Sequence, residues 1–264
     1  MVEVHPRILG AVNWIGLRTL YLKEVQRFLK VPLQTIVAPA ITALLFLAVF
    51  SLAFADRVQF VGDQPFLQFL APGLIMMTVV QNAFANTSSS IMIAKVQGNI
   101  VDVLMPPLSP GELTLAYAAG GATRGLIVAA IVGASMAPFV PFSIFNLLWL
   151  GYFSLAASLM LSLAGVAAGI WADKFDNMAT ITNFVITPLS FLSGTFYSVQ
   201  TLPPFWYSLS LFNPIFYAID GFRAGFLGSS DTSLALGAAL LAACNGALWL
   251  LCHQMFASGY KLKG

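Results

Sequence analysis

Long stretches without a charged side chain dominate this sequence. Asp, Glu, Lys and Arg are all absent from five of them, at 31–55, 64–94, 125–172, 177–219 and 232–260. A helix needs about 20 mostly apolar residues to cross the hydrocarbon core of a membrane, and each run is longer than that. Charged residues make up 8% of the chain, which is too few to cover a soluble surface. These features predict an integral membrane protein and exclude a soluble enzyme.

The uncharged runs divide into six predicted spans. The run 125–172 is long enough for two of them, and Pro138 and Pro141 mark a turn between the two. Backbone groups in hydrocarbon must pair within the segment, so the spans are helices. The sequence predicts an all-α membrane protein with spans at 33–55, 68–92, 119–138, 144–170, 178–199 and 233–256.

Lys and Arg lie mainly on one side of this arrangement. With the N-terminus inside, the outer side receives only Arg57 and Arg223. Cytoplasmic loops carry the excess of Lys and Arg, so both termini are expected to be cytoplasmic. Arg124 lies near the inner end of the third span and is expected to reach that surface with its long side chain. The inner side receives Arg7, Arg18, Lys23, Arg27, Lys30, Lys95, Arg124, Lys174, Lys261 and Lys263.

Residues 1–32 are predicted to form an amphipathic helix at the membrane interface, preceding a single permease domain at 33–264. The helix is either an anchor or a collar for a cytoplasmic partner. Its apolar stripe contains Trp14, Leu17, Tyr21, Val25 and Phe28, and its polar face contains Thr19, Lys23, Gln26, Arg27 and Lys30.

A cytoplasmic segment, 95–113, contains a short predicted helix at 99–104. Ile100, Val103 and Leu104 fall on one side of it, and a double proline ends it. The segment either docks in a groove on a partner or is a structured loop.

Two spans carry polar stripes at helical spacing. Asn82, Asn86 and Ser89 form one in the second span. Asn183, Thr187 and Ser190 form the other in the fifth span, and Gly194 continues it. Lipid cannot satisfy such stripes, so each faces another helix or lines a pathway. Neither stripe has an evident charged partner in the sequence.

The outer segment 200–230 is predicted to form two short helices. Pro203 and Pro204 open the first, and Asn213 caps the second with Pro214 at its first position. Asp220 and Arg223 are spaced to pair. A break near Asn213 at mid-membrane depth would be costly, so the segment is predicted to begin and end on the same outer side as a re-entrant hairpin rather than to form a seventh span.

Several kinds of chemistry have no motif here. The chain has no GxxxxGK[ST] loop for ATP, no HExxH and no Cys/His cluster. No basic patch with flanking aromatic residues supports nucleic-acid binding. The sequence therefore predicts no catalytic residue, no metal site and no cofactor in this chain.

The inner and outer segments together resemble the type-2 ABC-transporter permeases, a family of bacterial export permeases. The outer signature is Leu202-Pro203, then Pro214 to Tyr217, then Arg223, with Asp220 between the last two. The inner segment resembles the family's coupling region through Lys95, Gly98, Asn99, Ile100, Asp102, Leu104, Pro107, Leu108, Ser109 and Glu112.

The resemblance implies a half-size permease of the bacterial inner membrane that homodimerises and binds two copies of a separate ABC ATPase. ATP and Mg would be held by that partner, so this chain would not itself be an enzyme. Ile100, Val103 and Leu104 are expected to bury against the ATPase, and the two polar stripes to line the translocation pathway. The alternative is an ATP-independent channel or a lipid-binding scaffold.

Overall fold

The computed structural model describes residues 10–54, 60–61 and 64–262. This part of the chain is almost entirely helical. Its strands, β1 (Phe60–Val61) and β2 (Gln64–Pro65), form one antiparallel ribbon in which Phe60 pairs with Pro65. Residues 1–9 of the predicted interfacial helix, Arg57 and Lys263 lie outside the described residues.

Eleven α-helices are described, and two of them are extended by π-helical turns at Leu33–Val37 and Thr182–Ile186. They are α1 (Trp14–Leu29), α2 (Ala38–Phe54), α3 (Phe66–Val96), α4 (Ile100–Leu104), α5 (Pro110–Met136), α6 (Leu147–Trp171), α7 (Phe175–Ile181), α8 (Thr187–Phe191), α9 (Pro204–Leu211), α10 (Pro214–Leu227) and α11 (Leu234–Ser258).

Five helical segments in the described part of the chain are long and apolar enough to cross a membrane. They match predicted spans one, two, three, four and six, which confirms an all-α membrane protein. The third starts at Pro110 rather than at 119 because Glu112 lies inside its first turn, where a carboxylate caps the helix instead of interrupting it.

The predicted fifth span is shorter than its sequence suggested. α7, a π turn and α8 run continuously over 175–191, 17 residues in all, instead of 178–199. The helix stops because the Ser193 and Thr195 hydroxyls donate to the Ser190 carbonyl, at 2.6 and 2.9 Å. Gly194 then adopts a left-handed φ of +72°. Whether this segment crosses the membrane stays a prediction.

Both π-helical turns precede a proline. The turn at Leu33–Val37 comes before Pro39, and the turn at Thr182–Ile186 comes before Pro188. A proline ring in a regular helix clashes with the carbonyl four residues earlier and donates no hydrogen bond. Widening the preceding turn removes the conflict without ending the helix.

Small residues bring α3, α5 and α6 close together. A Cβ added at Gly165 of α6 would lie 2.5 Å from the Phe84 carbonyl oxygen of α3. The Thr87 hydroxyl donates to the Ser162 carbonyl across the same interface, at 2.7 Å. Close backbone approach of this kind is typical of helices that associate in lipid. α10 completes the bundle by packing against α3, α6 and α11.

Several helix ends meet at one end of the bundle, called here the lysine end. The Lys95 ammonium at the end of α3 donates to the Ile170 and Ala172 carbonyls at the end of α6, at 2.7 and 2.6 Å. Lys261, after α11, donates to Asp173 at 2.6 Å, and this bond lowers the pKa of the Asp173 carboxyl. α1 and the start of α5 lie at the same end.

The apolar stripe predicted for α1 is only partly a membrane face. Phe28 is buried in the bundle, 1% exposed, whereas Trp14 is 70% exposed. The face turned to the bundle instead follows Leu20, Glu24 and Phe28 at a spacing of four residues. Because Glu24 is acidic, the spacing of Leu20, Glu24 and Phe28 did not look like a buried stripe in the sequence.

Candidate functional site

A sharp turn joins α3 to α4 at the lysine end. Gly98 makes the turn possible because its φ of +75° lies in the left-handed region. Packing does not require a glycine at this position, since an added Cβ would meet nothing within 4 Å. Asn99 follows with an exposed side chain that donates to Gln97 at 3.3 Å. The turn presents α4 beyond the end of α3.

The apolar side of α4 faces the protein itself. Ile100 and Val103 are 7% and 8% exposed and pack in a cluster with Leu20 of α1 and Tyr117 of α5. Leu104 is half-buried beside the same cluster. The expectation that Ile100, Val103 and Leu104 await a partner is therefore wrong for the first two, because α1 and α5 already bury them.

The opposite side of α4 is open. Val101 and Asp102 are exposed, and Met105 at the end of the helix is 76% exposed. Pro106 and Pro107 continue this surface. It is called here the α4 tip, and it consists of Val101, Asp102, Met105, Pro106 and Pro107.

The residues after the α4 tip hold α1 and α5 together. Ser109 caps α5, and its backbone N–H donates to Glu112 at 2.6 Å. The other Glu112 oxygen accepts from the Asn13 backbone N–H, and the Asn13 amide donates to the Pro107 carbonyl at 3.1 Å. Leu108 lies half-buried against Gly16. Both oxygens of Glu112 are therefore engaged, one by the cap of α5 and the other by α1.

A buried carboxylate fixes the middle of α1. Glu24 is fully buried, and its Oε1 accepts from the Ser90 hydroxyl of α3 at 2.7 Å. Its Oε2 lies 3.3 Å from Nε of Arg27. Gly120 of α5 gives Glu24 its space, because a Cβ there would lie 2.6 Å from the Glu24 Cβ. Glu24 was not among the predicted site residues, although one acid between Leu20 and Phe28 on a helical stripe was a usable signal.

The polar stripe of α3 is occupied by two arginines. Arg27 donates to the Asn86 backbone and side-chain oxygens, at 2.6 and 3.0 Å, and lies 3.4 Å from the Ser89 hydroxyl. Arg124 donates to the Asn82 side-chain oxygen at 2.7 Å. The premise that this stripe has no charged partner was wrong. Arg124 also does not reach the surface, because it lies mid-helix in α5 and is 8% exposed.

This cluster, called here the inner cluster, consists of Glu24, Arg27, Asn82, Asn86, Tyr117 and Arg124. It contains polar atoms that are buried and have no hydrogen-bond partner among the described residues. They are Nδ2 of Asn86, the Tyr117 hydroxyl and Nε of Arg124. Unpaired buried donors are unfavourable, so the hydrogen bonding of this cluster is incomplete.

The polar stripe of the fifth predicted span lies elsewhere. Asn183 is exposed, Thr187 is half-buried and Ser190 is buried. The Ser190 hydroxyl donates to the Ile186 carbonyl at 2.7 Å. Among the described residues, no hydrogen bond joins this stripe to that of α3. The structure therefore does not bring the two predicted pathway sets together within one chain.

The outer signature residues form a second cluster at the opposite end of the bundle. Pro203 precedes α9, and Pro214 opens α10 behind the Asn213 cap, as predicted. The Tyr217 hydroxyl donates to the Leu211 carbonyl at 3.0 Å, which ties α10 to α9. This packing orients Asp220 and Arg223 in different directions.

Asp220 and Arg223 do not form the predicted ion pair. Asp220 accepts from the backbone and side chains of residues 230–232, at distances of 2.7 to 3.0 Å. Arg223 donates to the Phe69 and Gly194 carbonyls, at 3.2 and 2.8 Å, and stacks on the Phe69 ring. The two residues are called here the outer cluster. Arg223 thus joins α10 to α3 and to the turn after α8.

The two ends of the segment 200–230 lie side by side. The Ser198 hydroxyl donates to the Asp231 carboxylate at 3.0 Å, and the Gln200 amide donates to the Asp231 carbonyl at 3.3 Å. α9 and α10 therefore leave and return to the same end of the bundle.

Comparison with known families decides the class of this protein. The ABC-2 type transporter family matches residues 16–227, which include the α4 tip, both polar stripes and the outer cluster. This chain belongs to that family. The predicted family is confirmed.

Two relatives indicate how close the similarity is. The chain is 38% identical over 250 residues to the inner membrane transport permease YadH of Escherichia coli strain K12, covering 95% of this chain and 98% of the relative. It is 24% identical over 221 residues to nodulation protein J of Rhizobium leguminosarum bv. trifolii, covering 83% of each. The chain is thus similar to YadH over almost its whole length.

A membrane permease of an ABC transporter associates with an ABC ATPase, and the permease is a transport subunit rather than an enzyme. Within the described residues, no group of three or more His, Cys, Asp or Glu side chains is placed to hold a metal ion. The geometry offers an exposed, partly apolar surface at the α4 tip and buried charged clusters between helices.

Proposed function

We propose that this chain is the membrane-spanning subunit of an ATP-driven exporter in the bacterial inner membrane, with ATP and Mg bound by a separate ABC ATPase. The observation that carries the proposal is the α4 tip. It exposes Val101 and Met105 at the lysine end, on a helix whose other face is packed on α1 and α5. An exposed apolar surface on a helix that is packed against the rest of the protein is suited to docking a partner.

Hydrogen bonds connect the α4 tip to the interior of the bundle through α1. The loop after α4 holds Asn13 at the start of α1, and Glu24 further along α1 is bonded to Ser90 of α3. α1 thereby links the docking surface to the inner cluster. Closure of the ATPase would bias the inner cluster between two arrangements.

A homodimer with two ATPase subunits is the assembly we propose. Asn183 is exposed on the chain although it lies in an apolar helical segment. Lipid leaves an amide unsatisfied, so a second copy is the proposed cover for this side. In the dimer, Asn183, Thr187 and Ser190 would line the pathway. The α3 stripe would join it when Arg27 and Arg124 release Asn82 and Asn86.

Both termini are proposed to be cytoplasmic. Lys95 and Lys261 lie at the lysine end, which the distribution of basic residues assigns to the cytoplasm. α9 and α10 lie at the other end and are proposed to enter the membrane from outside as a re-entrant hairpin. The contact between Ser198 and Asp231 supports this proposal.

The docking proposal is tested by two substitutions on opposite faces of α4. Met105→Asp should leave the permease folded but abolish co-purification with its ABC ATPase, because a charge replaces an exposed apolar contact. Ile100→Asp should instead destabilise the permease itself, since it places a carboxylate in the cluster around Tyr117. Thermal unfolding of each variant in detergent separates the two effects. Retention of the ATPase by folded Met105→Asp would contradict docking at the α4 tip.

The topology proposal is tested by accessibility in intact cells. Single cysteines at Gln200 and Ser230 should both react with a membrane-impermeant thiol reagent from outside, in a chain with Cys244 and Cys252 replaced. A tag after residue 264 should be reached only from the cytoplasm. Labelling of Ser230→Cys only from the inside would show that the segment crosses the membrane.

A further inference from the structure

α1 has a third face besides the one packed on the bundle and the one that is apolar. The apolar face carries Trp14, Ile15, Leu22 and Leu29, all of them exposed. Between it and the bundle lies a cavity of about 500 Å³, called here the basic groove. Its lining residues are Thr19, Leu22, Lys23, Gln26, Arg27 and Lys30.

The basic groove carries an excess of positive charge. Lys23, Arg27 and Lys30 contribute three cations, and none of the described lining residues is acidic. Glu24 is turned into the bundle, where it accepts from Ser90 and offsets one of the three charges by pairing with Arg27 at 3.3 Å. The Arg27 guanidinium is also held by Asn86. The groove therefore offers a fixed guanidinium between two exposed lysines, a set of donors suited to a phosphate.

The groove lies at the depth of lipid headgroups if α1 lies at the membrane interface. Arg27 contacts Asn86, ten residues before α3 ends at Val96, which is about 15 Å along the helix. α3 is about 46 Å long, so it exceeds the roughly 30 Å hydrocarbon core by about the same distance. The contact between Arg27 and α3 then falls near the boundary of the hydrocarbon.

We propose that the basic groove binds the phosphate of an anionic phospholipid whose acyl chains lie along Leu22 and Leu29. Complementary charge selects the headgroup, and the adjoining apolar face provides for the chains. A second copy of this chain is disfavoured as the occupant, since two such faces would repel. The proposal rests on the interfacial position that the sequence predicts for α1 but not on transport, because lipid binding needs no ATPase.

Native mass spectrometry of the purified full-length permease tests this proposal. Phosphatidylglycerol and phosphatidylcholine with identical acyl chains are titrated into the detergent micelles, and lipid-bound fractions are compared. Lys23→Gln/Lys30→Gln should lower phosphatidylglycerol binding at least about tenfold, given the contribution of each basic residue near an anionic surface. Phosphatidylcholine binding should not change. Lys23→Arg/Lys30→Arg should retain the preference.

Arg18→Gln is the matched control, since Arg18 is an exposed cation of α1 that does not line the groove. It should bind phosphatidylglycerol within twofold of the unmodified protein. An equal loss in Arg18→Gln would show charge attraction without a site, and an unchanged double variant would overturn the proposal. Displacement of the lipid by millimolar inorganic phosphate would show a free-phosphate site instead. Unchanged lipid binding with loss of the ATPase would make the groove part of the docking surface.

Discussion

Two buried arginines, one at the outer end of the bundle and one near its middle, have different surroundings. Arg223 of the outer cluster donates to two backbone carbonyls and stacks on an aromatic ring. Arg124 of the inner cluster makes one hydrogen bond among the described residues, to the Asn82 side chain, and its buried Nε has no partner there. Arg223 thus binds the backbone of neighbouring segments, whereas Arg124 depends on one side-chain amide, which itself donates to the Thr78 carbonyl at 2.9 Å.

The difference separates a fixed outer end of the bundle from a more adjustable cluster near its middle. Rearranging the outer cluster would orphan main-chain carbonyls, which is unfavourable in an apolar bundle. Rearranging the inner cluster would break several hydrogen bonds, but it could satisfy groups that have no partner among the described residues. The inner cluster also adjoins α1, which contacts the loop after the α4 tip. We therefore expect motion driven by the ATPase to occur around the inner cluster.

The largest predicted effect contrasts the two arginines directly. Arg223→Met should destabilise the permease by roughly 2–5 kcal/mol, because the Phe69 and Gly194 carbonyls lose their donors. Arg124→Met should change stability by less than about 1 kcal/mol, since it orphans only the Asn82 oxygen and removes an unpaired buried donor. Unfolding in mild detergent, followed by circular dichroism, measures both. Equal destabilisation by the two substitutions would show that the two arginines do not differ in this way.

The second prediction tests whether Arg124 depends on Asn82. Asn82→Ala should destabilise the permease by about 1–3 kcal/mol, because a buried guanidinium loses its acceptor. The loss should largely disappear when Asn82→Ala is combined with Arg124→Met. Additive effects in this double-mutant cycle would mean that the two side chains do not interact.

The third prediction concerns the packing of α1 against α5. Gly120→Ala should displace α1, since the new Cβ would lie 2.6 Å from that of Glu24, at about 1–3 kcal/mol for overpacking. Hydrogen exchange should increase in α1 over residues 20–28. Gly133→Ala in the same helix is the control, because its nearest contact, at 3.6 Å, is ordinary. Unchanged exchange in Gly120→Ala would mean that α1 is held loosely.

The smallest effect is a pH dependence at the outer end. Burial raises the pKa of the Asp231 carboxyl, and the charge of Asp220 adds to the shift. The folded protein then binds this proton more tightly than the unfolded chain does. Asp231 contributes stability that is full below the ordinary pKa of Asp and is lost as pH rises through its raised value. The midpoint of thermal unfolding should fall across this window, and Asp231→Asn should reduce the fall. An identical profile in Asp231→Asn would assign the dependence to other groups.

Much of the fold follows from patterns carried by the sequence alone. Uncharged runs longer than a bilayer requires predict helices, because backbone groups in lipid must pair within their own segment. The caps at Ser109 and Asn213 are local as well, since each side chain bonds within three residues of itself. Helix type, approximate boundaries and the break at 212–213 therefore needed no tertiary information. The shortened fifth segment was missed because the hydroxyls of Ser193 and Thr195 end a helix that hydropathy alone would continue.

Only the tertiary structure decided which distant residues contact each side of a helix. Periodicity identified the apolar side of α4, but it did not show that α1 and α5 already cover Ile100 and Val103. It placed Asn82 and Asn86 on one stripe, but not Arg27 and Arg124 against them, since these partners lie about 40 to 60 residues away in sequence. Spacing favoured an Asp220–Arg223 pair, yet both side chains bind more distant groups. A sequence pattern determines which side chains share a face, whereas the packing of distant segments determines what meets that face.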